Sequence, residues 1–91
     1  MKIQGAKVLV TGGNRGIGLA LAKAFRQAGA EVWVGVRDPK AMTEFPAIEL
    51  DMGSRETIER AVPELEKKEF DILVNNAELL TGGFLEEKPF D

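Results

Sequence analysis

Glycine spacing constrains this chain more than any other feature. Residues 8–18 read VLVTGGNRGIG, an apolar run followed at once by glycines at positions 12, 16 and 18. Val8, Leu9 and Val10 show no polar alternation, as a parallel strand covered on both faces requires. Gly12 permits a tight turn off that strand, Gly16 lets backbone approach a ligand with no Cβ in the way, and Gly18 lets the next helix lie close on the sheet. The unpaired N–H groups and positive dipole end of that helix then face an anion. Spacing alone is weak evidence, because three permissive glycines also make an ordinary loop, so the flanking order has to decide. Ile17, Leu21, Ala24, Phe25 and Ala28 recur at helical spacing, and Gly29 stops the helix. A second strand, EVWVGV at 31–36, closes a βαβ unit, whose crossover is right-handed. Strand, glycine turn, helix and strand in that order make a cradle for a pyrophosphate. They place Gly12, Asn14, Arg15, Gly16, Ile17 and Gly18 around a dinucleotide.

The remainder extends the same pattern. Arg37 to Lys40 reads as a turn, since Pro39 biases Asp38 away from helix. Residues 41–45 allow no more than a helical turn or two, and Pro46 opens a third strand over 47–50 that ends at Asp51, Met52 and Gly53. Ser54 is an N-cap, and the helix it starts runs to about Lys68 with Ile58, Ala61, Val62 and Leu65 as its buried stripe. Glu56 with Arg60 and Glu64 with Lys68 form i,i+4 pairs on its solvated face. Pro63 predicts a kink or an early break in that helix. A fourth strand over 70–74 leads into Asn75 and Asn76, and residues 79–91 read as loop with Gly82 and Gly83 as its flexible point. Trp33, inside a strand, is expected to pack in the core rather than to serve as a stacking platform.

Composition narrows the function classes. Ninety-one residues, 44% of them hydrophobic, can support one core, and a net charge of −3 argues against nucleic acid as a partner. Cysteine and histidine are absent, which excludes disulfides and the usual zinc sites. Apolar runs fall far short of a membrane span and the first residues lack the apolar core of a signal peptide, so a cytoplasmic protein with no membrane partner is expected.

Four motifs now stand in order: TGGNRGIG at 11–18, Arg37 after strand two, Asp51 with Met52 after strand three, and NNA at 75–77 after strand four. Together they resemble the N-terminal part of the short-chain dehydrogenase/reductases and span nearly all of the chain. The resemblance implies an α/β fold, a partial doubly wound, Rossmann-type parallel sheet with strand order 3-2-1-4. It also implies that Asp51 accepts a hydrogen bond from the adenine amino group, that the Met52 backbone meets the adenine ring, and that Asn76 and Ala77 line the cofactor ribose. Asn75 is given a structural role, tying neighbouring strands. Read without the family, Asp51 would end a strand ahead of the Ser54 cap, and Asn75 with Asn76 would be a turn.

Arg37 bears on the cofactor. An acid some twenty residues past the glycines binds the ribose 2′-hydroxyl of NAD, whereas a nearby arginine accommodates the 2′-phosphate of NADP. Val36 stands where NAD-preferring relatives carry the acid, Arg37 follows it, and Arg15 in the glycine loop supplies a second cation, so NADP(H) is favoured over NAD(H). The rival acid is Asp38, which beside Pro39 looks like a turn residue.

Two departures from the family pattern stand out. Glu78 occupies the place of the glycine expected after Asn-Asn-Ala, where a carboxylate would crowd or repel the cofactor. The family's serine and Tyr-x-x-x-Lys proton-transfer group is missing, for the chain contains no tyrosine, Ser54 is its only serine, and Lys88 has no partner of the needed kind. Residues 1–91 are therefore expected to be the N-terminal part of a dinucleotide-binding domain, with the catalytic half absent. Three readings follow: the front of an NADP(H)-dependent oxidoreductase, a non-catalytic cofactor- or protein-binding module, or an inactive truncated product that self-associates. A homo-oligomer is expected through the open edge of strand four or the exposed sheet face, because nothing in that strand resembles the lysines and prolines that guard an edge.

Overall fold

The chain is described by a computed structural model over residues 2–76. Its centre is β1 (Lys7–Thr11), where Val8 and Val10 are fully buried and Leu9 is 3% exposed. Such a strand has no wet face, and the sheet supplies cover on both sides. Parallel pairing joins β1 to β2 (Glu31–Val36) on one side and to β4 (Ile72–Asn75) on the other, with β3 (Ala47–Glu49) beyond β2. The resulting order, β3-β2-β1-β4, is the expected 3-2-1-4.

Alternation along the strands divides the core in two. Val8, Val10, Val32, Val34 and Val36 face α1 (Gly16–Gln27), which packs Ala22, Leu19 and Phe25 against them. Leu9, Ile48 and Leu50 face α2 (Arg55–Lys68), which contributes Ala61, Ile58 and Leu65. The β2–β3 connection holds only one 3₁₀ turn (Pro39–Ala41). Phe45 is buried in that connection, with the Arg26 guanidinium 4.3 Å from its ring centroid, and Glu44 pairs with Lys23 and Arg26.

Local signals behave as their chemistry dictates. Ser54 Oγ accepts from Thr57 N at 3.3 Å, capping α2, and Gly29 adopts φ +96° just past α1, where an L side chain would be strained. Both expected ion pairs on α2 form, Glu56 with Arg60 at 3.9 Å and Glu64 with Lys68 at 3.8 Å.

Several expectations need correction. The α1 stripe is turned by one residue: Gly18 and Ala22 are buried, whereas Ile17 is 72% exposed, because the helix is seated by close contact at Gly18 rather than by its largest side chain. On α2, Thr57 and Ala61 are buried and Val62 is largely exposed. Pro63 neither breaks nor ends the helix, which runs on to Lys68. Pro63 and Glu59 both lie on the exposed side, so the Glu59 carbonyl that loses its helical donor faces water. Strand four is shifted to Ile72–Asn75, with Phe70 packed against the second core and Asp71 Oδ2 accepting from Lys7 N at 2.9 Å. Trp33 borders that core half-buried, its Nε1 donating to Glu31 Oε2 at 2.9 Å and the Lys68 ammonium 4.0 Å from its ring.

Candidate functional site

Because every strand is parallel, the C-terminal ends of all four lie along one lip of the sheet. Thr11 stands opposite Gly35 on one side and Asn75 on the other, and Val36 stands opposite Glu49. The segments that leave these ends carry the residues singled out above: the glycine turn after β1, Arg37 after β2, Asp51 and Met52 after β3, and Asn76 after β4. The order reverses between β1 and β4, the point where open α/β sheets hold their ligands.

The glycine turn is built tightly. Gly12 has φ +68° and Gly16 φ +60°, and a Cβ at Gly16 would meet nothing within 4 Å, so that backbone is open to approach. Gly18 is the reverse case, for a Cβ there would fall 2.1 Å from the Gly12 carbonyl oxygen and 2.5 Å from Asn76 Nδ2. Helix, loop and the end of β4 therefore converge on a position that only glycine fits. Arg15 occupies the N-cap of α1 without a side-chain cap bond, and no acidic residue lies in the first turn, so the helix itself supplies no carboxylate to offset its dipole there.

Thr11 joins the two strands that flank the reversal. Its hydroxyl is within reach of Val74 O at 3.3 Å and Asn75 Oδ1 at 3.2 Å, and its oxygen accepts from Asn76 N at 2.9 Å. Asn76 in turn donates Nδ2 to Gly12 O at 3.4 Å. Sequence reasoning passed over Thr11, although a lone hydroxyl closing an otherwise apolar strand was the available signal. The strand-tying role expected of Asn75 is met through this hydroxyl.

Asp51 meets the structural reading, that of a residue ending a strand ahead of the Ser54 cap. Its Oδ1 accepts from Gly53 N at 2.9 Å, and its carbonyl accepts from Ser54 N at 2.8 Å and Thr57 Oγ1 at 3.0 Å, which organises the start of α2. Met52 beside it is 38% exposed at the lip. Ala77 and Glu78 lie outside the described residues.

Charge placement distinguishes the arginines. Arg26, Arg55 and Arg60 all form ion pairs with glutamates. Among the described residues Arg15 and Arg37 are exposed and have no such partner. Asp38 Oδ1 accepts from Lys40 N at 3.2 Å, which makes it the residue that caps this turn. No helix among the described residues is long and apolar enough to cross a membrane. Taken together, an open backbone at a helix N-terminus, a carboxylate-free first turn and two unpaired guanidiniums fit a phosphate-bearing dinucleotide.

Comparison with known proteins agrees with this geometry. The sequence matches the short chain dehydrogenase family over residues 6–90. It is 39% identical over 80 residues to the 3-oxoacyl-(acyl-carrier-protein) reductase MabA of Mycobacterium tuberculosis, covering 86% of this chain and 32% of that protein. Among solved structures, the NADP active-site complex of Pseudomonas aeruginosa RhlG superposes with a TM-score of 0.74 at 33% identity, covering 91% of this chain and 39% of that one. A short chain dehydrogenase from Leptospira borgpetersenii with bound NAD+ gives a TM-score of 0.75 at 28% identity, covering 88% and 34%. The chain spans about a third of the length of the curated relatives it matches.

Proposed function

The chain belongs to the short chain dehydrogenase family, and from that premise we propose that it is the cofactor-binding part of an oxidoreductase that uses NADP(H) in preference to NAD(H). Bound nicotinamide supplies or accepts the hydride exchanged with a carbonyl or alcohol. The residues of this chain hold the dinucleotide and orient it. The glycine turn and the first N–H groups of α1 receive the pyrophosphate. Asp51 and Met52 flank the adenine, and Asn76 and Ala77 flank the ribose on the nicotinamide side.

One observation carries the NADP(H) preference: Arg15 and Arg37 are exposed at the lip and have no ion-pair partner among the described residues, while every other arginine is paired with a glutamate. A 2′-phosphate carries the charge that two guanidiniums match. Both NADP and NAD+ occur in the family's solved structures, so direct titration is the test. Calorimetry should give a lower Kd for NADPH than for NADH. Arg37→Ala should weaken NADPH roughly tenfold, as loss of a charge-assisted hydrogen bond implies, and leave NADH unchanged. Preference for NADH, or an unaltered ratio in the variant, would overturn the assignment.

Chemistry requires a proton donor as well as a held cofactor, and this chain has no tyrosine to supply one. Purified chain should bind NADPH without consuming it in the presence of carbonyl substrates. Sustained NADPH oxidation, with contaminating reductase excluded, would refute the view that the reacting groups lie outside these 91 residues.

Self-association belongs to the same reading. Among the described residues β4 is an edge strand, and Leu73 within it is 63% exposed. Light scattering at micromolar concentration should show a dimer that Leu73→Lys converts to monomer; a monomer from the outset would remove this part of the proposal.

A further inference from the structure

The turn after β2 contains an acid beside the arginine, an arrangement that at first sight works against phosphate recognition. Its geometry resolves the conflict. Val36 is 4% exposed and its carbonyl accepts from Leu50 N at 2.8 Å, so the chain is fixed immediately before Arg37. Immediately after it, Asp38 Oδ1 accepts from Lys40 N at 3.2 Å, Ala41 N donates to Asp38 O at 3.1 Å, and Met42 N donates to Pro39 O at 3.1 Å. Pro39 locks its own φ and restricts Asp38, which sits at φ −126°, ψ 89°. Arg37 is thus held between a paired strand end and a capped turn, which leaves only side-chain freedom to be lost on binding. Arg37 and Lys40 are both exposed and without ion-pair partners among the described residues, so the turn presents two cations around one carboxylate.

We propose that Asp38 is a positioning residue for phosphate selection: by capping the turn it presents Arg37 to the 2′-phosphate, and it does not read the ribose hydroxyl itself. This rests on the NADP(H) reading above. An aspartate that bound the 2′-hydroxyl would favour NAD(H), whereas one committed to a backbone N–H shapes the loop for its neighbour.

Asparagine can make the same turn without the charge and alanine cannot, so the two substitutions separate these roles. Calorimetric Kd values for NADPH and NADH should be compared in the unsubstituted chain, Asp38→Asn, Asp38→Ala and Arg37→Ala. Asp38→Ala should weaken NADPH about fivefold, the fold-change that about 1 kcal/mol of cap energy gives, and leave NADH unchanged. Asp38→Asn should bind NADPH at least as tightly as the unsubstituted chain. Weaker NADH binding in Asp38→Asn would show that Asp38 contacts the ribose. An unchanged NADPH Kd in Asp38→Ala, or equal loss of both cofactors, would show that the cap does not govern selection. Either result overturns the proposal. Arg37→Ala distinguishes the two levels: if it weakens NADPH while Asp38→Ala does not, only the positioning role fails. If Arg37→Ala has no effect, or the unsubstituted chain binds no NADPH, the NADP(H) reading fails with it.

Discussion

Asn76 holds Gly12: its side-chain amide donates to the Gly12 carbonyl at 3.4 Å, so the residue that follows β4 fixes the turn that follows β1. The end of β4 and the glycine turn after β1 are therefore one mechanical unit. Gly18 sits directly beneath this contact, and a Cβ there would strike both partners.

Gly18→Ala should for that reason damage stability and binding together. The nearest atom met is the Gly12 backbone oxygen, which cannot swing away as a side chain could. Overpacking of this kind costs about 1–3 kcal/mol. Thermal unfolding should show Tm lowered by roughly 4–8 °C per kcal/mol, with NADPH affinity reduced in the folded fraction. A variant with unchanged Tm would mean that α1 shifts freely on the sheet.

Thr11→Val keeps shape but removes the oxygen that accepts from Asn76 N. Thr11 is 3% exposed and its bond to Asn76 N is part-buried, so the loss should be about 1–3 kcal/mol. Thr11→Ser should restore most of it. Urea midpoints measure both, and a valine variant within about 0.5 kcal/mol of the parent would show that the hydroxyl is dispensable.

Pro63→Ala should stabilise the chain. Alanine restores a donor for the Glu59 carbonyl and is favoured in a helix interior by about 3 kcal/mol. Proline offsets about 1 kcal/mol of this by restricting the unfolded chain, which leaves a net gain of about 1–2 kcal/mol and a higher Tm. Since the site on which Pro63 lies is exposed, nothing else need move. A lower Tm would reveal a bend at Pro63 that the packing of α2 uses.

The sheet was legible because its signals are local and redundant. Val8 to Val10, the glycine turn and the β-branched run at 31–36 each announce a buried parallel strand or its exit, whereas the 3-2-1-4 order came with the family resemblance and is the order observed. The Ile17 stripe is misplaced because apolar periodicity does not record that the close approach at Gly18 turns the buried face toward Ala22. Pro63 was misjudged because propensity does not record which side of a helix faces water. In the site, Gly12, Gly16 and Gly18 were readable from spacing. Thr11 offers only a lone hydroxyl at the end of its strand, and its partners at Val74, Asn75 and Asn76 lie more than sixty residues away.

That separation also governs how the chain is assembled during synthesis. β2 can pair with β1 as soon as it is made, but the other edge of β1 stays bare until Ile72 emerges, 36 residues after Val36. At about 5–20 residues per second this interval lasts about 2–7 s. During it the most deeply buried strand of the fold offers an open row of backbone donors and acceptors to any passing segment. The turn at Gly12 gains its clasp only when Asn76 arrives, so the order of that turn waits on the last of the four described strands.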